Sequence, residues 1–242
     1  MKRKKTFLSI LLALCLIGLN PMSLPCFDVV QNVEAASTVR LSKSSAILIK
    51  GQTLQLKVTG TKSKVKWYTS KSSIATVSQS GKVTAKKSGT AYITARVNGQ
   101  KLKCKVSVRS NKSIIYKLHD AYDWQCEDIW NHGFCDTYHY IEDGTDSCGK
   151  KLDINKTISK LNKNYQKRNY YNKYVRSVQG KKYSNYKKTW EKLDKQTVYL
   201  KQILDKNGAP APKSNYYFPY QKYADYLNDL MGYNFELSLN LI

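Results

Sequence analysis

Residues 67–97 read WYTSKSSIATVSQSGKVTAKKSGTAYITARV, and this stretch decides the fold of the first part of the 242-residue chain. In its last run Ala91, Ile93, Ala95 and Val97 alternate with Tyr92, Thr94 and Arg96, which gives one apolar and one wet face, the period of a half-buried strand. The alternation continues on both sides, through Leu54, Leu56 and Val58, then Val65 and Trp67, and later through Leu102, Cys104, Val106 and Val108. Turn signals separate the runs at Lys50-Gly51, Gly60, Ser80-Gly81, Ser88-Gly89 and Asn98-Gly99. The last is a hairpin dipeptide that tolerates positive φ at both positions. About seven short strands within about 70 residues predict an all-β sandwich over 38–108.

These residues resemble a known family. Trp67 with the Ser/Thr positions after it, the strand Ile74-Ala75-Thr76-Val77, the segment Gly81-Lys82-Val83-Thr84-Ala85, the Gly89–Ala95 run and the closing KLKCKVSV at 101–108 are similar to a bacterial immunoglobulin-like domain of group 2. The resemblance covers nearly all of 38–108. It implies a surface module that acts as a spacer or contributes to adhesion and to carbohydrate or wall binding, and it implies no catalytic residues. No cysteine stands near Leu56 to oppose Cys104, so an antibody-type disulfide between sheets is not expected. Cys104, in register with Leu102, Val106 and Val108, reads as a small buried hydrophobe.

Working outward to the N-terminus, Lys2-Arg3-Lys4-Lys5 precede an apolar run from Phe7 to Leu19, followed by the small-residue pattern around Val33-Glu34-Ala35. This is the pattern of a secretory signal peptide over 1–35, cut near Ala35 or Ala36. The apolar run is too short for a membrane anchor, and nothing after residue 20 approaches the roughly 18 apolar residues a spanning helix needs. The mature chain is therefore expected to lack a transmembrane segment. Leu14 and Pro25 stand before Cys15 and Cys26 where a lipoprotein signal would need a small residue, and the C-terminus shows no sorting motif. Retention at an envelope would be noncovalent.

Charge divides what remains. The chain carries 41 Lys and Arg against 17 Asp and Glu, for a formal net charge of +24. Residues 36–109 hold 16 bases and no acid, whereas residues 110–242 hold 21 bases and 15 acids and 17 of the 19 tyrosines. Two domains follow, 36–109 and a Tyr-rich helical domain at 113–242, with Arg109-Ser110-Asn111-Lys112-Ser113 as a short polar linker. In the second, Tyr183, Tyr186, Trp190, Leu193, Thr197, Leu200 and Leu204 recur at intervals of 3 and 4, a continuous helical seam. A helix is also predicted from the cap Asp153 to Gly180, and another from Ile115 to about Ile141 that Gly133 bends because its apolar face drifts. A last one runs from about Tyr220 to Met231, so the domain is an all-α helical bundle of three to four helices. Residues 118–149 are acidic and 150–188 basic, which sets the first helix against the second.

Chemistry has one place to sit. His119, His132 and His139 fall with Cys126, Cys135 and Cys148 between residues 119 and 148. On an unbroken α-helix His132, Cys135 and His139 share a face and are weak candidates to ligate a metal, although no Cys-x-x-Cys or His-Glu-x-x-His element accompanies them. Disulfide formation among Cys126, Cys135 and Cys148 is the more ordinary reading. Cys126 and Cys135 on one continuous helix would lie about 13 Å apart, beyond bonding range, while the turn at Glu142–Asp146 returns Cys148 towards either, with Cys135 the nearer along the chain. That acidic turn reads as a helix-ending Asp-Gly turn in preference to a calcium loop. Among the tyrosines, Tyr216, Tyr217, Tyr220 and Tyr223 are ligand-contact candidates, since neighbouring helical positions cannot all face inwards.

The expectation from sequence is an exported bacterial protein with a binding or adhesion role and no catalytic activity, secreted or held noncovalently at a Gram-positive envelope, with no cofactor. Its acid-free first domain, with Lys57, Lys64, Lys66, Lys82, Lys101, Lys103 and Lys105 pointing outwards, suits an anionic cell-wall polymer or surface glycan, or a protein partner. Nucleic acid is excluded by the export signal and the lack of any nucleic-acid-binding motif. The alternative is an envelope enzyme or metalloprotein, for example a wall hydrolase, that the first domain targets.

Overall fold

Nine strands precede the helices in a computed structural model that describes residues 38–240. The expected signal peptide at 1–35 and the expected cleavage positions Ala35 and Ala36 lie outside the described residues. The strands are β1 (Arg40–Leu41), β2 (Ser45–Ile49), β3 (Thr53–Gln55), β4 (Val58–Thr59), β5 (Lys66–Thr69), β6 (Ala75–Val77), β7 (Lys82–Ala85), β8 (Gly89–Val97) and β9 (Gln100–Arg109). One sheet has the order β2-β9-β8-β5, with β2 parallel to β9 and the rest antiparallel; a second has the order β3-β7-β6, and β1 pairs with β4. Strands β8 and β9 are joined by the Asn98-Gly99 turn, where both residues take positive φ (49° and 74°), as that dipeptide requires. Both sheets feed one apolar core: Leu48 of β2, Leu54 of β3, Val83 of β7, Ile93 of β8 and Cys104 and Val106 of β9 all belong to it. Gly81 is needed at its edge, since a Cβ there would lie 2.6 Å from the Leu56 carbonyl oxygen and 2.8 Å from the Trp67 ring.

Strand β2 departs from the alternation. Ala46 and Leu48 enter the core of the sheets, while Ile47 on the opposite face enters the core of the helices and Ile49 packs against it. Its free edge is covered as well: Ile47 forms a parallel bridge with Val178, and the Gln179 N–H donates to the Ile47 carbonyl at 2.9 Å. A strand buried on both faces needs an unbroken apolar run, and Ala46-Ile47-Leu48-Ile49 supplies it.

The helices are α1 (Asn111–Asp123), a π-helix (Trp124–Cys135), α2 (Asp136–Asp143), α3 (Ile154–Tyr165), α4 (Arg168–Ser177), a 3₁₀ turn (Lys181–Tyr183), α5 (Ser184–Asn207) and α6 (Gln221–Leu239). They make four rods in the described residues, because α1, the π-helix and α2 are continuous and α3 and α4 are separated only by a tight turn. The expected linker at 109–113 has no slack: β9 ends at Arg109, Ser110 caps α1 by accepting from the Ser113 N–H, and the helix begins at Asn111. Sheets and helices pack as one compact unit.

The seam from Tyr183 to Leu204 is buried at every position named, and Asp153 caps α3 by accepting from the Lys156 N–H. Three features differ from the sequence reading. The drift in the first rod is resolved by wider winding, not by a bend at Gly133. Asp136 N–H bonds to the carbonyl of Asn131, five residues back, and buried positions recur at 124/125, 129 and 133/134. Gly133 instead permits close approach, since a Cβ would meet Leu161 Cδ1 at 2.8 Å. The second rod breaks at Gln166-Lys167, where the Asn164 carbonyl accepts both the Lys167 N–H and the indole N–H of Trp124. Helix α6 runs on to Leu239 because Tyr223, Leu227, Leu230, Asn234 and Leu237 continue a buried seam.

Ile47→Ala in the full chain is expected to lower stability by about 2–4 kcal/mol, as for other buried Ile truncations. Urea unfolding followed by helical ellipticity reads it; an unchanged helical midpoint contradicts a core shared by sheet and helices.

Candidate functional site

The segment from His119 to Cys148 does not converge. The metal candidates shared a face only at α-helical winding, and His132 and Cys135 lie in the π-helix, where more residues fill each turn. His132 Nδ1 faces its own neighbour Asp136 (3.6 Å to Oδ2), and His139 Nδ1 faces Glu142 (3.9 Å to Oε2). Among the described residues no three of His, Cys, Asp and Glu come together as a metal-holding group. The acidic turn uses its own carboxylates: Asp143 Oδ1 accepts from the N–H and hydroxyl of Thr145, and Asp146 Oδ1 accepts from the N–H groups of Cys148 and Lys150. These bonds hold both carboxyls below their ordinary pKa.

All four described cysteines are free thiols. Cys104 is fully buried, and burial pushes its thiol up to about 11. Cys126 is raised chiefly by burial, against an opposing hydrogen bond with Tyr122. Cys135 is raised by burial and then by the charges of Asp136 and Cys148. Thiols raised in this way stay protonated and poorly nucleophilic at neutral pH. Cys135 and Cys148 are the pair brought together, because Asp136, next to one, accepts at Oδ1 from the N–H (3.1 Å) and hydroxyl (2.9 Å) of Ser147, next to the other.

The tyrosine candidates separate. Tyr223 is not a ligand contact: the helical seam of α6 aims it inwards, where it is fully buried, stacks on Trp130 at 5.1 Å and donates to Gln125 Oε1 at 2.5 Å. Tyr220 is half-buried against Trp130 and Tyr138, and Tyr216 spends its hydroxyl on the Ile203 carbonyl. Tyr217 is 74% exposed. Gln125 was missed in sequence; it is fully buried, with an amide nitrogen that has no partner among the described residues, and it follows the buried Ile114, Leu118 and Ala121 at helical spacing, which was the signal that could have found it.

What remains is charge on the sheets. Lys57, Lys64, Lys66, Lys82, Lys101, Lys103 and Lys105 are all exposed, as the alternation predicts. Along the open edge at β5, Lys57, Lys64 and Lys66 flank a groove of ≈ 790 Å³ with Trp67 and Tyr68 in its wall. The Arg96 guanidinium sits 4.8 Å over the Tyr68 ring, a cation–π contact that holds the ring in place. The groove combines cations, aromatic faces and the amide of Gln55, without a carboxylate.

Residues 35–108 match the family model of the bacterial Ig-like domain (group 2). Residues 35–108 are a bacterial Ig-like domain. Nothing among curated proteins matches the chain. Two solved structures similar to it are the S-layer protein SbsC, domains 4 and 5 (23% identity over 30% of this chain and 51% of that one, TM-score 0.26), and an intimin mutant of EHEC O157:H7 (22% identity over 36% and 66%, TM-score 0.27). The chain thus spans about half the length of the first of these structures and about two thirds of the second. The helices from Asn111 onwards lie beyond the Ig-like domain.

Oxidation with a small disulfide such as oxidised glutathione is expected to join Cys135 to Cys148. Each protein thiol loses its hydrogen and the reagent is reduced to two thiols. Peptide mapping should find Cys104 and Cys126 still alkylatable; a bridge from Cys126 instead would contradict the pairing set by Asp136 and Ser147.

Proposed function

We propose that this chain is an exported bacterial envelope protein that binds an anionic polymer of the cell surface through its Ig-like domain, without catalysis. A bacterial Ig-like domain is a surface- or adhesion-type module, and its two sheets form the layers of a sandwich whose outer surface, away from the helices that cover β2, is free to bind. The observation that carries the proposal is charge: residues 36–109 hold 16 Lys and Arg and no Asp or Glu, and the lysines that alternate with the core stand exposed. Self-repulsion at that density costs stability, and an anionic partner removes the cost while raising the rate of encounter. The acids of the chain are spent elsewhere, among them Asp128 on Lys167, Asp194 on Arg168 and Asp136 on Ser147. The rival reading as an envelope enzyme draws no support from the His119–Cys148 segment, where His132 and His139 face separate carboxylates and the half-buried thiols of Cys126 and Cys135 are raised.

Cosedimentation of the exported chain with purified Gram-positive walls is expected at low salt. The bound fraction should fall away by about 0.5 M salt, where the screening length drops to a few ångströms. Replacing His132 and His139 should leave it unchanged. No binding at low salt contradicts the proposal, and binding that persists in high salt contradicts its electrostatic basis.

A further inference from the structure

Where α4 crosses the outer face of β2 and β9, cations from both halves of the chain converge on one cleft. A recess of ≈ 600 Å³ holds Lys43 from the β1–β2 loop and Arg168, Lys173 and Arg176 from α4. A second of ≈ 430 Å³ holds Lys105 and Arg109 from β9. The two meet, since Ser45, Lys173 and Ser177 line both. No carboxylate lines either one. Among the described residues the one acid bonded to these cations is Asp194 of α5, whose side chain is 4% exposed and already taken: it accepts from Arg168 Nε (2.5 Å) and Nη2 (2.8 Å) and from Asn172 Nδ2 (2.9 Å), with Arg176 at 3.5 Å. Asn172 is in turn fixed by the Trp190 indole N–H at 2.7 Å.

This arrangement differs from the lysines scattered over the sheets. Arg168 is held in place by two hydrogen bonds to Asp194 before any ligand arrives, so less ordering is needed on binding. Lys43, Lys105, Arg109 and Lys173 have no carboxylate partner among the described ion pairs, yet the packing of α4 on β2 forces them together. A concave site concentrates their field, and in the second recess Ala46, Ile47 and two tyrosine rings supply apolar wall. Lys187, outside the cleft, has its ammonium held below its ordinary pKa by burial first and then by Lys43. Guanidinium forks, ammonium groups and the hydroxyls of Ser42, Ser44 and Ser45 are the donors that phosphate oxygens take. Two recesses in tandem with Lys173 between them suit repeating charges more than a single ion.

We propose that this junction cleft is the binding site for a linear phosphodiester polymer, with successive phosphates lying along the cations from Arg168 and Lys43, past Lys173, to Lys105 and Arg109. The exposed Tyr170 ring and the half-buried Tyr174 at its wall face the uncharged links between phosphates. The proposal rests on the reading of the chain as a binder of anionic surface polymer and locates that binding at the join of sheets and helices.

Calorimetric titration with poly(glycerol phosphate) at low salt compares the full exported chain with two variants that each lose three exposed cations. Lys105→Gln/Arg109→Gln/Lys173→Gln is expected to weaken binding about tenfold or more, and Lys57→Gln/Lys64→Gln/Lys66→Gln, at the distant edge groove, by no more than about threefold. Both should melt as the unaltered chain does. Lysine acetylation of the unaltered chain, which needs no variant, should find Lys105 and Lys173 shielded by the polymer and Lys57 and Lys64 not. Inorganic phosphate should displace the polymer only at far higher concentration. Equal weakening by the two variants, or shielding of the edge lysines instead, overturns the junction site while leaving the anionic-polymer reading intact. Binding to walls without binding to poly(glycerol phosphate) overturns the phosphodiester assignment, and no binding to either removes the underlying reading as well.

Discussion

Strand β2 is the constraint on which the rest depends. Five residues, Ser45–Ile49, must satisfy two cores at once, Ala46 and Leu48 on one face and Ile47 and Ile49 on the other. Full burial of one such aliphatic side chain is worth about 1.5–3 kcal/mol, so the strand ties sheet to helix by an interaction comparable with a large share of a domain's net stability. The edge of the sheet is closed in the same stroke, because the backbone at Val178 and Gln179 occupies hydrogen-bonding positions that an open edge would leave to another chain. The one-residue step from Arg109 to Asn111 follows from this geometry: a helix that must pack at once on the strand it leaves has no use for a linker.

The sheets were legible because their signal is local. Period-two alternation, the Asn98-Gly99 turn and the inward register of Cys104 each rest on a few adjacent residues, and each appears in the structure as read. The α5 seam was legible for the same reason at a different period. The join between the halves was not, although its sign lay in the open: Ala46-Ile47-Leu48-Ile49 is an unbroken apolar run in a segment that otherwise alternates, which marks a strand buried on both faces. The π-helix escaped because periodicity was judged against 3.6 residues per turn, and a face that drifts by that measure is regular at wider winding. This is why His132, Cys135 and His139 share a side only at α-helical winding, whereas Gln125, on the buried seam of Leu118 and Ala121, was hidden by its polar side chain. Tyr223 was misplaced because a cluster of tyrosines shows that some are exposed without showing which; only the continuation of α6 to Leu239 fixes its phase.

The helical half has an aromatic core with its polar tips accounted for. Trp124 stacks on Tyr171 at 4.8 Å and gives its N–H to the Asn164 carbonyl, Trp190 gives its own to Asn172, and Tyr186 donates to the Leu118 carbonyl. This explains how Tyr171, Tyr183, Tyr186 and Tyr223 fit inside one small unit. It also sets the orientation of α4, since Asn172 joins Trp190 to Asp194, and Asp194 holds Arg168 beside the sheet. Packing in the helices thereby positions charge at the junction, and an acid-free Ig-like domain supplies the cations on the other side.

Native-state hydrogen exchange of the full chain across a series of low denaturant concentrations addresses the central claim, that sheet and helices are one cooperative structure joined at β2. The account predicts that the slowest amides of β2 and β9 and those of α4 and α5 merge into one opening with the same free energy and the same denaturant dependence. Two separate openings, with the β2 amides following the sheets alone while α4 and α5 open independently, would contradict it.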